Sequence, residues 1–402
     1  MKPHAHIRSL PPEGACPPGG GSSAVAMNFT RRGAIAGAAL LALSGLAFGQ
    51  GKEIPVGVFN AMTGTYAFGG VPIQNAMKLA LEEANAQGLP VGNKFKIFEG
   101  DTAGEKGQTI SLVNQFIKRD NVMLILGPTI SGEALAGAPV ANDLKVPILA
   151  IGSSPGILAT GPWAFKIQAT PADIMGFLGK LSVEKLGVKR VILIHDQSND
   201  GYVGQKNALS DYFKKAGASV VADESFVSSE SNFLALATKV ASAPTDAIFI
   251  AAPAEVAANL IMQIRQAGLD TKVKFLGPST FGSLNFIKAG GKAVEGTYVV
   301  CDYAPIAPSP MNQAFVKAYQ AKYKVVPDNW AGMGYGLAQV AIQAVRNAGP
   351  NPDRTKIRDE LGKLNNVPVV LGNGTWSVDA GRNPSYGGVL LQVKDGNFIA
   401  VQ

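Results

Sequence analysis

Two short aliphatic runs on either side of a helical stretch constrain this chain more than any other feature. Residues 122–126 (VMLIL) and 147–151 (PILAI) read as buried strands, and a helix pattern opens between them at Ser131. That spacing is the mark of a βαβ unit in a parallel sheet. In such sheets ligands bind outside the carboxyl ends of the strands. Both runs end in glycine-flanked, hydroxyl-bearing loops: Ser131 follows the first, Ser153 and Ser154 the second. Backbone N–H groups at a helix start, with a serine hydroxyl beside them, seat a carboxylate. The same serines serve equally well as a helix cap and a corner. Both readings stand at this point.

Strand and helix patterns alternate along nearly all of the chain after residue 52. Strands are expected at 54–59, 94–99, 164–167, 190–195, 219–226, 247–251, 274–276 and 296–301. Helices are expected at 71–86, 105–119, 171–186, 204–216, 233–241, 253–267, 311–323 and 330–347, while 156–163 reads as irregular. From residue 368 the chain turns to short strands. Alternation of this kind predicts an α/β protein with doubly wound parallel sheets. About a dozen strands exceed one open sheet, so two domains are expected.

The first 49 residues stand apart. Residues 1–26 are rich in Pro, Gly and Ser and read as an extension ahead of a start at Met27. Residues 27–49 read as a signal peptide: Arg31-Arg32, an apolar run at 34–48, and small residues placing a cut before Gln50. The run is shorter than the ~20 residues needed to span a bilayer. The leader carries Lys2, Arg8, Arg31, Arg32 and Glu13, so the formal charge of +7 falls to +4 on its removal. That charge forms no basic block, which argues against a nucleic-acid partner. Cys301 remains as the one cysteine, with no partner for an internal disulfide. No Cys/His cluster suggests a metal, and no cofactor is expected.

Three motifs invite chemistry and fail on detail. Gly152–Gly156 spells the G-x-S-x-G elbow of hydrolases, but Pro155 lacks the N–H that an oxyanion hole needs. His195 lies inside a strand, and no nucleophile–base constellation accompanies it. Residues 196–201 (DQSNDG) begin like a calcium loop, yet Asn207 stands where the bidentate Glu belongs. Residues 332–336 (GMGYG) follow no strand, so they suit close helix packing better than a dinucleotide.

The order of segments resembles the leucine/isoleucine/valine-binding family of periplasmic solute receptors for ABC transporters. The resemblance rests on IPVGVFNAMTGTYAFGG (54–70), QNAMKLALEEANA (74–86), the 124–156 stretch, RVILIHDQSNDGYVGQ (190–205) and KFLGPSTFG (274–282). It implies two lobes joined by three crossovers around a ligand cleft: 51–169 with 303–385, and 170–302 with 386–402. It implies a monomeric, non-catalytic periplasmic receptor partnered by a small ligand, an amino acid or a related carboxylate or amide, and by an inner-membrane permease. A ligand sensor of the same fold is the alternative. The carboxylate seat falls on Ser131, Ser153 and Ser154. Asp200 and Tyr202 fall on the loop of lobe two, and Tyr66 and Phe68 at the cleft mouth. The acid that would pair with an amino-acid ammonium is Ser279 here. Either Asp200 turns inward and replaces that acid, or it only caps its helix and the ligand is a carboxylate or neutral polar molecule. The Asn-Asp-Gly turn favours the second.

Overall fold

The computed structural model describes residues 51–401; the proposed extension and signal peptide lie outside them. Strands β1 (Glu53–Asn60), β2 (Lys94–Asp101), β3 (Leu124–Leu126), β4 (Ile148–Ala150) and β5 (Ala164–Lys166) form one sheet, ordered β2-β1-β3-β4-β5. Every pairing in it is parallel. The alternation in β1 explains why both faces need cover. Ile54, Val56 and Val58 enter one core cluster, and Phe59 enters the other. Helices Ala67–Gln87 and Asn329–Asn347 pack together over the first cluster, and Lys106–Lys118 with Ser131–Asp143 over the second.

The second sheet contains β6 (Arg190–Asp196), β7 (Ser219–Phe226), β8 (Ala247–Ala251), β9 (Lys274–Gly277) and β10 (Tyr298–Cys301), all parallel. Its edge departs from the all-parallel expectation. A small antiparallel sheet of β11 (Val367–Pro368), β12 (Thr375–Val378) and β13 (Pro384–Ser385) comes first in the chain. Strands β14 (Val389–Lys394) and β15 (Asn397–Ala400) then add to β10 as an antiparallel hairpin. Asp395 and Gly396 turn that hairpin with φ of 51° and 70°, the left-handed pair that a tight two-residue turn requires. The chain passes between the two large sheets after β5, after β10 and after β13, giving two lobes and three crossovers.

The helix expectations need correction in places, among them the one at 204–216, which begins at Asp200. The helix expected at 71–86 begins at Ala67, because Gly69 and Gly70 are packing positions, not loop: a Cβ on Gly70 would stand 1.9 Å from the Ala61 carbonyl oxygen. Residues Gly156–Ala159 form a short helix where an irregular segment is expected. The helix Arg354–Leu361, capped by the Asp353 side chain, had no reading at all. In the Gly332–Gly336 stretch, a Cβ on Gly334 would lie 2.4 Å from the Ile73 carbonyl oxygen, so its small residues bring two helices together.

Candidate ligand-binding site

The loops after β3 and β4 lie side by side because Gly152 adopts a φ of 141° and carries no Cβ. A Cβ there would stand 2.9 Å from Ser131 Oγ. Ser131 is the first residue of its helix and does not cap it, which closes one of the two readings of that serine. Glu133 reaches back to take the Ile130 N–H at 3.3 Å, and Ser131 Oγ instead accepts the Ser154 N–H at 3.2 Å. The first-turn N–H groups of a helix have no intrahelical partner. Behind the loop, the buried Lys166 ammonium donates to the carbonyls of Ser153 and Gln168, each at 3.0 Å. Burial pushes Lys166 down to about 8, partly opposed by the charge of Asp173, so it is largely a cation at neutral pH.

Across from this edge stand residues of the second lobe. Gly201 comes so near that a Cβ on it would lie 3.0 Å from Ser131 Oγ. The small space between has a volume of ≈ 30 Å³ and is bordered by Ser131, Ser153, Gln168, Tyr202, Gln205, Ser279, Thr280 and Trp330, among others. That is room for about one or two water molecules, so an organic ligand enters only when the lobes part. None of the residues bordering it is an acid or a base. A larger groove of ≈ 580 Å³ opens at the mouth, with Phe68, Glu255, Lys288 and Asp328 on its walls. The strand-end serines converge on the smaller space.

The sequence candidates divide accordingly. Ser131, Ser153, Tyr202 and Ser279 border the small cavity, and Ser154 stands behind Ser131. Asp200 does not reach it. It is exposed at the first position of its helix, and the cap is Asn199, whose side chain accepts the Gly201 N–H at 2.9 Å. Phe68 lines the outer groove. Tyr66 sits outside both cavities, and burial raises its pKa, with the charge of Asp196 in the other lobe adding to the rise. His195 is structural: Nδ1 lies 3.0 Å from the Glu224 carbonyl.

Several site residues had escaped the sequence reading. Gln168 donates to Ser279 Oγ at 3.3 Å and to Asp302 Oδ2 at 3.1 Å, linking the crossover after β5 to the one after β10. Asp302 also accepts from the Tyr386 hydroxyl, which takes the Ala169 N–H at 3.2 Å, so all three crossovers share one buried network. Burial raises the Asp302 pKa, and the bonds from Tyr386, Gln168, Ser279 and Asn329 pull against it. Its position directly after a strand was the signal that could have found it. Trp330 and Gln205 sit within helical patterns and gave no such signal.

Polar groups from the strand ends of two facing sheets, gathered on one small space between them, are the arrangement of a solute receptor. The chain belongs to the periplasmic binding protein family, whose profile matches residues 53–397. It is 26% identical over 354 residues to the Leu/Ile/Val-binding protein of Citrobacter freundii, covering 87% of this chain and 93% of that protein. A leucine-binding protein from Thermotoga maritima has a similar structure, with a TM-score of 0.79 at 26% identity over 87% of this chain and 98% of that one. So does an ABC-transporter solute-binding protein from Rhodopseudomonas palustris in complex with 3,4-dihydroxybenzoic acid, with a TM-score of 0.77 at 25% identity over 87% and 96%.

Proposed function

We propose that this chain is the exported receptor of an ABC importer, and that it captures a small organic carboxylate by lobe closure and hands it to an inner-membrane permease. The lobes comprise 51–169 with 303–385 and 170–302 with 386–402, and the receptor works as a periplasmic monomer after cleavage near Gln50. An intact Met1 on periplasmic protein in mass spectrometry would count against export through this leader. The observation that carries the ligand class is the lack of an acid among the residues that border the cavity. Ser131 stands on the carboxylate side with Lys166 behind its loop, and nothing bordering the space supplies a counter-charge for an ammonium. Burying an ammonium without a counter-charge costs several kcal/mol.

The second reading is an amino acid, as the names of the relatives suggest, with Asp302 acting from behind Gln168 and Ser279 as the counter-charge. Calorimetry with leucine and 4-methylpentanoate, which differ only in the ammonium group, separates the two. The carboxylate reading expects the acid to bind at least as tightly as leucine. Sub-micromolar leucine binding that is lost in Asp302→Asn overturns it. Ser131→Ala should weaken the bound carboxylate by one charge-assisted hydrogen bond, roughly 1.5–3 kcal/mol or ten- to a hundredfold. Because Ser131 is not the cap, its loss should lower stability only by the bond it accepts from the Ser154 N–H, about 0.5–1.5 kcal/mol.

A further inference from the structure

The wall of the small cavity carries three polar atoms that the protein itself leaves without a partner. Trp330 Nε1, Thr280 Oγ1 and Gln205 Oε1 are buried and accept or donate no hydrogen bond. Their residues are 5%, 4% and 5% exposed, and all three border the same space. Buried polar groups in folded proteins are nearly always paired, so three orphans around one cavity point to a partner that arrives from outside. The indole N–H is a donor and needs an acceptor, whereas Gln205 Oε1 is an acceptor and needs a donor. An ammonium offers nothing to the indole, and a ketone or ether oxygen offers nothing to Gln205. A hydroxyl serves both and suits Thr280 in either sense.

We propose that Trp330, Thr280 and Gln205 form a second polar pole that reads a hydroxyl group on the ligand, making the cargo a hydroxylated carboxylate. This rests on the carboxylate reading above and adds the group at the other end of the molecule. The pole is built rigidly. The Trp330 ring meets the edge of Phe68 at 5.7 Å between centroids, and a Cβ on Gly69 would stand 3.1 Å from it. Thr280 lies in the helical turn Ser279–Phe281, whose Phe281 ring fills the place of a Cβ on Gly277, 2.0 Å away. Gln205 follows Tyr202 by three residues, on one face of the helix Asp200–Lys215. Aromatic residues Tyr202 and Trp330 both border the space, which suits a flat cargo. A ligand held by Ser131 in one lobe and by Thr280 and Gln205 in the other ties the lobes together.

The test is calorimetry of the mature protein against benzoate, 3-hydroxybenzoate, 4-hydroxybenzoate, 3,4-dihydroxybenzoate and 4-carbamoylbenzoate. At least one hydroxylated acid should bind about tenfold or more tighter than benzoate, because a site made for a hydroxyl strands its own groups when the hydroxyl is missing. Trp330→Phe and Thr280→Val each remove the hydrogen bond, and each should shrink the ratio of hydroxylated-acid to benzoate affinity. Should either variant fold poorly, Gln205→Met supplies the same comparison. Equal binding of benzoate and every hydroxylated acid overturns the proposal, as does a preference that survives in all three variants. Tighter binding of the carboxamide overturns the hydroxyl assignment. Binding of benzoate that is lost in Ser131→Ala, without any hydroxyl preference, leaves the carboxylate reading standing and removes only this one. Failure of all these acids to bind overturns this proposal, and failure of 4-methylpentanoate as well removes the carboxylate reading too.

Discussion

At Glu133 a carboxyl group with no exposed surface holds the head of the helix that begins at Ser131. Burial pushes its pKa up to about 7, against the bonds from Thr102, Ile130 and Thr129 that favour the charged form. The raised value means the folded chain keeps a proton that the unfolded chain releases near pH 4.5. Stability from this group is therefore complete below pH 4.5 and is lost as the pH climbs to about 7. The amount is at most about 3 kcal/mol for a shift of this size. Glu133→Gln removes the titration and keeps an acceptor for Ile130. Its melting temperature should gain on wild type steadily between pH 5 and pH 8. A constant gap across that range would show that Glu133 ionises normally.

Among the elements, the helices Ala67–Gln87 and Asn329–Asn347 depend most on side chains that are missing. Gly334 lets the two backbones approach, with the Ile73 carbonyl where a Cβ would go. Gly334→Ala overpacks the contact and should cost roughly 1–3 kcal/mol. Urea titration should show a lower midpoint with an unchanged slope; an unmoved midpoint would mean the helices separate freely. The glycines here were readable as packing residues, since they lie in a helical pattern and follow no strand. The true start at Ala67 was not readable. Gly69 and Gly70 look like loop until Trp330 and the Ala61 carbonyl are seen to occupy the space beside them.

Lobe closure belongs to the whole molecule, and the half-buried Tyr66 stands where the lobes meet. The ring comes from the loop after β1, while Asn199 and Ser228, whose side chains lie near its hydroxyl, belong to the second lobe. Tyr66→Phe keeps the ring and removes the hydroxyl; a hydrogen bond that it makes to those side chains on closure contributes about 0.5–1.5 kcal/mol. Ligand affinity should fall roughly two- to tenfold, and the radius of gyration of free protein in X-ray scattering should rise. No change in either measurement would mean that closure does not use this contact.

Sequence alone was enough for whatever depends on near neighbours. The period-2 strands and period-3.6 helices, the βαβ order, and the serines at strand ends follow from local backbone preference and burial, because a parallel sheet repeats one rule from unit to unit. Ser131 and Ser153 were legible as strand-end residues for that reason, whereas Tyr202 and Ser279 came from the family resemblance. Only the tertiary structure decided which groups face each other across the cleft. It placed Asp200 in solvent, put Asp302 behind Ser279, and brought Trp330, from position 330, onto a space shared with Gln205 and Thr280. Contacts between residues so far apart in the chain arise from the packing of whole lobes and the path of three crossovers. No local pattern in the sequence carries that information.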